Sequence, residues 1–313
     1  MVRVEGKNEV DGLAKEFRNA QPFRHVVIDD FLDPGLAERL LAEFPDFDPA
    51  RAISENGVVG NKAVNERLRM LGPAFVQFDD MAKSQEFLAL VSAITGIPGL
   101  VHDPAYVGGG THENRDRQGL DAHVDFNRHP VSHDHRRLNL IVYLNHQWSD
   151  AWGGVLELHR DPRAADDEVV RVSPQFNRAV IFETTERSWH GFSTIRLPED
   201  QQQRSRRSVA LYYYSRQRAP EELAATHSTI YVDRPLADSF VPGLVLQAGD
   251  VQELRHLLGN RDRHIQRLYR DLQDAEAKVE ATLRALGLLR GTRSYRLLMA
   301  MRRAYRRVVP RRG

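Results

Sequence analysis

The chain has 313 residues, 41% of them apolar, a formal net charge of +1 and no cysteine. This length and composition supply a full core for one large domain, or one domain plus an appendage. The lack of cysteine excludes a disulfide framework, thiolate metal sites and cysteine nucleophiles.

No run of eighteen apolar residues suggests a membrane span, and the polar first dozen residues show no secretory signal. A cytoplasmic location is therefore expected. Charge is unevenly spread: residues 290–313 carry nine arginines and no acid, which leaves residues 1–289 at −8. This places a basic tail on a mildly acidic body.

After a polar start, His25-Val26-Val27-Ile28 reads as a strand. Asp33 caps the following helix and Pro34 suits its first turn, with Leu36, Leu40, Leu41 and Phe44 as the apolar stripe and Pro45 as the stop. Residues 84–96 form a second helix ending at Gly96. Both read as braces against a sheet, within a support region over 1–100. From 101 to 235 the pattern changes to short apolar or alternating runs near 138–144, 154–158, 168–172, 178–182, 190–195, 207–214 and 228–232. Regularly spaced short strands after helices predict a mainly β sandwich or barrel with bracing helices. Segment 107–120, with its three consecutive glycines, reads as a loop at the cavity mouth, and 197–205 as a polar surface insertion.

The last seventy residues differ in kind. Leu258, Ile265, Leu272, Val279 and Leu286 recur every seven residues, with Leu254, Leu268 and Ala275 at the second seam position and Arg261 and Thr282 weakening it. This pattern predicts a coiled coil over 248–289 and a homo-oligomer, in competition with a long helix docked on its own barrel. Over 290–313, Leu297, Met301, Tyr305 and Val309 make one stripe flanked by arginines, which suits an anionic membrane surface. Interleaved aliphatics disfavour nucleic acid as the partner of this tail.

The densest chemical signal is His123-Val124-Asp125. A strand sends residues i and i+2 to one face, so both side chains enter one cavity. With His190 they make two imidazoles and one carboxylate, the ligand composition that holds non-haem Fe(II) on one face and leaves positions open. Around them stand LDAHVDFN (120–127), LNLIVYLN (138–145), WGGVLEL (152–158), RAVIF (178–182), SWHGF (188–192) and RRSVALYYY (206–214).

In order, spacing and residue type these segments resemble the prolyl-4-hydroxylase-like branch of the Fe(II)- and 2-oxoglutarate-dependent oxygenases. The likeness is densest over 100–216. It implies a double-stranded β-helix, a jelly-roll or cupin-like barrel, with Fe(II) on His123, Asp125 and His190. It also implies 2-oxoglutarate and O2 as cosubstrates and L-ascorbate as reductant. The reaction implied is hydroxylation of a C–H bond with release of succinate and CO2.

Arg206 is the expected anchor for the distal carboxylate of 2-oxoglutarate, since a guanidinium matches a carboxylate with two hydrogen bonds. Alternation then points Arg206, Ser208, Ala210 and Tyr212 inward and Arg207 outward; Arg207 competes only if the strand slips by one residue. The resemblance gives the Tyr143 phenol a contact with the same carboxylate, against a reading as a core tyrosine. Asn127 and Tyr106 are candidate cavity-lining residues. Gly153 and Gly154 read as a turn, and His129, His133, His135, His146 and His159 as surface residues.

Substrate identity is not legible: prolyl residues, free amino acids and glycans all fit. Segment 291–297 resembles tails on bacterial enzymes of surface-polysaccharide assembly, which favours an envelope setting at the inner face of the membrane. The competing functions are a non-catalytic scaffold on the same fold and an oxygenase with a nucleic-acid-binding tail. The intact ligand set argues against the scaffold.

Overall fold

The computed structural model describes residues 2–4, 6–48, 63–232, 236, 240–292, 295, 297 and 299–301. It divides into two compact units, Met1–Leu244 and Val245–Gly313. The first unit opens with α1 (Lys7–Asn19), β1 (His25–Ile28) and α2 (Pro34–Ala42). It continues with β2 (Ala63–Asn65), α3 (Pro73–Ala82), α4 (Gln85–Thr95) and β3 (Leu100–His102). The strands β4 (Gly110–Asn114), β5 (Leu120–Val124), β6 (His135–Tyr143), β7 (Leu156–His159) and β8 (Val169–Val172) follow. Then come β9 (Ala179–Glu183), β10 (Trp189–Phe192), β11 (Arg206–Ser215) and β12 (Ile230–Tyr231).

The strands form two antiparallel sheets. The larger runs β1-β9-β6-β11-β4-β2, with β3 also on β11, and the smaller runs β12-β5-β10-β7-β8. Alternation along the strands decides what each face of the larger sheet does. Leu138, Leu140 and Val142 of β6 and Val209, Leu211 and Tyr213 of β11 share one cluster with Phe17, Leu36, Phe75, Phe87 and Val91 of the helices. Each large apolar side chain sealed there contributes about 1.5–3 kcal/mol. The opposite face meets the smaller sheet, where Tyr143, Val180 and Phe182 pack with Leu156, Leu158 and Val172. Two facing sheets braced by helices on one side make the double-stranded β-helix that the sequence predicted.

The expected helices are present: the Asp33 carboxylate accepts from Leu36 N at 3.1 Å, and Ser84 caps α4. Two others escaped the sequence reading. Val10, Leu13 and Phe17 of α1 reach the core at i, i+3 and i+7, a helical stripe that the sequence reading passed over as a polar start. The reading of 107–120 as loop is corrected: Gly110–Asn114 is strand β4, paired with both β11 and β2. Its first residue, Gly110, takes φ +89°, and a Cβ there would stand 2.2 Å from Asn65 O. The glycine run thus marks a close backbone approach, and not a free loop.

The second unit contains α5, one helix over Ala248–Gly291. Its capping box joins Gln247 and Asp250. The heptad residues Leu258, Ile265, Leu272, Val279 and Leu286 are 42–59% exposed along it. Of the basic stripe, Leu297 and Met301 are described and exposed, while Tyr305, Val309 and most of the arginines lie outside the described residues. No described helix is long and apolar enough to cross a membrane.

Candidate active site

His123 and His190 face each other directly across β5 and β10, their ring centroids 4.3 Å apart. The pairing of β10 with β5 slips between His190 and Phe192, so that three residues of β5 span two of β10. Such a bulge bends the strand and re-aims its side chains. Gly191 makes it feasible, because a Cβ there would sit 2.6 Å from Leu120 O. Asp125 follows the end of β5, and the ligand atoms of His123, Asp125 and His190 all lie within 4.8 Å of one another.

Hydrogen bonds fix how each ligand is presented. The His123 Nδ1–H donates to Asp121 O at 2.9 Å and the His190 Nδ1–H to Ser188 O at 2.8 Å. A carbonyl can only accept, so both rings carry the proton on Nδ1 and turn a lone pair at Nε2 toward Asp125. The Nε2 atoms stand 3.7 and 3.5 Å from Asp125 Oδ1 and Oδ2. These spacings are close enough for the three groups to converge on one divalent ion. The donor set and the preset tautomers fit a divalent metal.

Burial opposes charge on Asp125, yet Arg136, and then His190 and His123, hold its carboxyl well below the usual range. The His190 imidazole is pushed down to about 3 by burial and by His123. Asp125 and His190 are therefore in their metal-binding protonation states at neutral pH.

The second cluster lies beyond Phe192, two residues from His190 on the same strand face. Arg206 is 4% exposed and packs its guanidinium 4.2 Å from the Phe192 ring and 5.0 Å from that of Tyr143. Its Nε donates to Gly154 O at 2.6 Å and its Nη2 to Tyr143 Oη at 3.2 Å. Gly154 lies at φ +69°, and a Cβ on it would meet Arg206 Cδ at 3.1 Å. The turn reading of Gly154 is thus too narrow, because it also makes room for Arg206 and accepts its hydrogen bond. Arg206 has no acidic partner among the described residues, and burial lowers its pKa. Arg207 lies outside the barrel, its Nε 3.3 Å from Glu113 Oε1. The register of β11 is therefore the unslipped one.

Three site residues were missed in the sequence. Arg136 Nη2 stands 3.0 Å from Asp125 Oδ2, and Asn139 Nδ2 donates to the same oxygen at 2.8 Å. Tyr231 of β12 stacks on His123, 5.1 Å between centroids. Counting by twos back from Tyr143 reaches Asn139, so alternation alone would have found it.

Asn127 ties down the segment leading to β12: its Nδ2 donates to Ala225 O and its Oδ1 accepts from His227 N. Tyr106 does not line the cavity, since its hydroxyl donates to Asp79 at 2.7 Å within the helical layer. His129, read as a surface residue, is 7% exposed and packs edge-on against Tyr214.

Residues 110–214, which include His123, Asp125, Tyr143, His190 and Arg206, match the model of the 2OG-Fe(II) oxygenase superfamily. Similar solved structures include a prolyl hydroxylase from Trichoplax adhaerens in complex with a hypoxia inducible factor oxygen degradation domain peptide fragment. It shares 17% identity, over 66% of this chain and 91% of that chain, at a TM-score of 0.45. A prolyl-4-hydroxylase from Pseudomonas putida shares 18%, over 66% and 100%, at 0.43. HygX from Streptomyces hygroscopicus, with nickel, 2-oxoglutarate and hygromycin B bound, shares 14%, over 75% and 100%, at 0.44. No curated protein matches the sequence.

Proposed function

We propose that the chain is an Fe(II)- and 2-oxoglutarate-dependent dioxygenase that hydroxylates a C–H bond of a prolyl, amino-acid or glycan-related substrate. The observation that carries this reading is the pairing of two sites in one barrel. One is the His123/Asp125/His190 cluster; the other is a buried Arg206 with no acidic partner among the described residues. A buried cation met only by a carbonyl, a phenol and two rings is costly unless an anion arrives from outside. A dicarboxylate reaching from the metal to Arg206 supplies that anion.

Bound iron supplies oxygen activation, coupled to decarboxylation of 2-oxoglutarate to succinate and CO2. The chain's own residues do the rest. His123 and His190 offer Nε2, Asp125 offers its carboxylate, Arg206 and Tyr143 orient the distal carboxylate, and Phe192 and Tyr143 keep water from the guanidinium. L-ascorbate as reductant rests on the family resemblance alone. The decisive experiment is succinate release with Fe(II) and 2-oxoglutarate over a panel of prolyl peptides, free amino acids and nucleotide sugars. Turnover stimulated by one class assigns the substrate. Absence of any 2-oxoglutarate binding or decarboxylation in the Fe(II)-loaded protein would leave the scaffold reading.

A second reading concerns assembly. The five exposed heptad aliphatics on α5 support self-association through a coiled coil, and the nine arginines beyond residue 289 support adsorption to the inner, anionic face of a membrane.

A further inference from the structure

A regular strand would bury the wrong arginine. Counting inward positions of β6 from Tyr143 gives Ile141, Asn139 and then Arg137. The pairing with β11 breaks this count: Tyr213 opposes Leu138, whereas Tyr214 opposes Arg136, so Arg137 is an extra residue. Beyond this bulge Arg136 takes the inward position opposite Tyr214. Arg137 turns to the other face, within 3.5 Å of Glu183 and 3.2 Å of Glu222. A bulge that re-aims one side chain beside a site reads as a built feature.

What it builds is a closed triangle. The Arg136 Nε and Nη2 donate to Asn139 Oδ1 at 3.1 and 2.8 Å. Asn139 Nδ2 donates to Asp125 Oδ2 at 2.8 Å, and Arg136 Nη2 lies 3.0 Å from that oxygen. The guanidinium is clamped between the rings of Tyr212, at 3.6 Å, and Phe126, at 4.5 Å, and Arg136 is 1% exposed. Asp125 Oδ1 accepts no hydrogen bond among the described residues. Oδ2 is thus tied down, with His190 Nε2 at 3.5 Å from it, while Oδ1 is left open 3.7 Å from His123 Nε2.

We infer that Arg136 is a built-in counter-ion of the metal site, a positioning residue that holds Asp125 in place before metal arrives and weakens the metal's hold once it is bound. This rests on the metal-site reading above. In the metal-free protein Asp125 is a nearly buried carboxylate, and the Arg136 guanidinium 3.0 Å from its Oδ2 is the nearest fixed balancing charge. In the loaded protein Arg136 is a cation close to a cation in a poorly screened interior. The two effects have opposite signs, which separates a counter-ion from a packing brace. Loss of a brace lowers both stability and metal affinity. Loss of a counter-ion lowers the stability of the metal-free protein and raises metal affinity.

The test measures Co(II) binding by chelator competition and thermal unfolding of metal-free full-length protein. Wild type, Arg136→Gln, Arg136→Lys and the double variant Asp125→Asn/Arg136→Gln are compared. Arg136→Gln is expected to bind Co(II) at least about tenfold more tightly while unfolding at a lower temperature without metal. Arg136→Lys is expected to stay near wild type in both. The double variant removes both charges and is expected to recover much of the lost stability, because breaking one side of a buried pair costs more than removing the pair. If Arg136→Gln folds only with metal, the double variant still reads the coupling. Equal or weaker Co(II) binding by Arg136→Gln, or a double variant no more stable than the single one, overturns the inference alone. A wild-type protein that binds no Co(II) overturns the metal-site reading and this inference with it.

Discussion

Arg206 and Tyr143 meet inside the barrel from adjacent strands, the guanidinium Nη2 donating to the phenol oxygen at 3.2 Å. Ser208 lies opposite Tyr143 in the ladder, which sets Arg206 one inward position away along β11. The phenol oxygen accepts from the arginine, which leaves its own proton available to another acceptor. Burial raises the Tyr143 pKa, so it is a neutral donor at physiological pH.

Arg206→Ala is therefore expected to raise the apparent requirement for 2-oxoglutarate by at least about thirtyfold, since losing one side of a buried charge-assisted pair costs on the order of 2–5 kcal/mol. Arg207→Ala breaks a half-exposed contact with Glu113 and is expected to change that requirement less than about threefold. Titration of 2-oxoglutarate against succinate release compares them. Equal effects would remove Arg206 from the binding site.

Replacing Asp125 affects two partners. Asp125→Ala removes the anionic ligand, so metal binding and turnover are expected to fall below detection. It also leaves Arg136 buried without its carboxylate, which costs about 3–5 kcal/mol of stability. A metal-verified Asp125→Ala protein that still decarboxylates 2-oxoglutarate would dismiss the ligand assignment. One that keeps wild-type stability would show that Arg136 is solvated.

Much of the site was legible because it lies on regular strands. Alternation from Tyr143 and Arg206 gives the inward faces of β6 and β11, and the triplet His123-Val124-Asp125 gives two ligands at once. Illegible features sit where periodicity breaks. Arg136 is inside only because of the extra residue at Arg137. The β5 bulge that brings His123 opposite His190 depends on Gly191, whose close approach to Leu120 O no local pattern announces. Strand β4 hides behind glycines and polar residues, since it has no apolar alternation and its pairing with β11 and β2 comes from the backbone. Helix α1 was legible and passed over: Val10, Leu13, Ala14 and Phe17 stand at i, i+3, i+4 and i+7, a short helical stripe within an otherwise polar start. The burial of His129 depends on Tyr214, a neighbour distant in sequence.

Acid sensitivity follows from three histidines. Burial holds His25, His102 and His190 below the ordinary imidazole value, His190 down to about 3. Both ring nitrogens of His102 are buried without a hydrogen-bond partner. The unfolded chain takes up these protons near pH 6.5 and the folded chain only at lower pH. Their contribution is thus fully present above about pH 6.5 and is lost as pH falls toward the folded values, each group contributing at most about 1.4 kcal/mol per pH unit. Urea midpoints of metal-free protein should fall between pH 7 and 5, and His102→Gln should make that slope shallower. An unchanged slope would mean that His102 is already titrating in the folded state.

The two roles assigned to the C-terminal region can be tested apart. Helix α5 keeps a 3.5-residue apolar period from Leu258 to Leu286 with those side chains exposed, an arrangement suited to a second helix of the same period. Arg261 and Thr282 occupy seam positions and argue against a very tight assembly. The full chain is therefore expected to be a dimer or small oligomer by light scattering, with dissociation at low micromolar or higher concentration. Each arginine near an anionic leaflet contributes about 1 kcal/mol, so the nine beyond residue 289, aided by Leu297 and Met301, suffice for reversible, salt-sensitive adsorption to phosphatidylserine vesicles. Truncation after residue 289 should abolish adsorption and keep the oligomer. Truncation after Leu244, where the first compact unit ends, should abolish both and leave 2-oxoglutarate decarboxylation in a monomeric barrel, because both sheets and every site residue lie before that point. A full-length protein that is monomeric and ignores anionic vesicles at low salt would show instead that the helix packs on its own barrel.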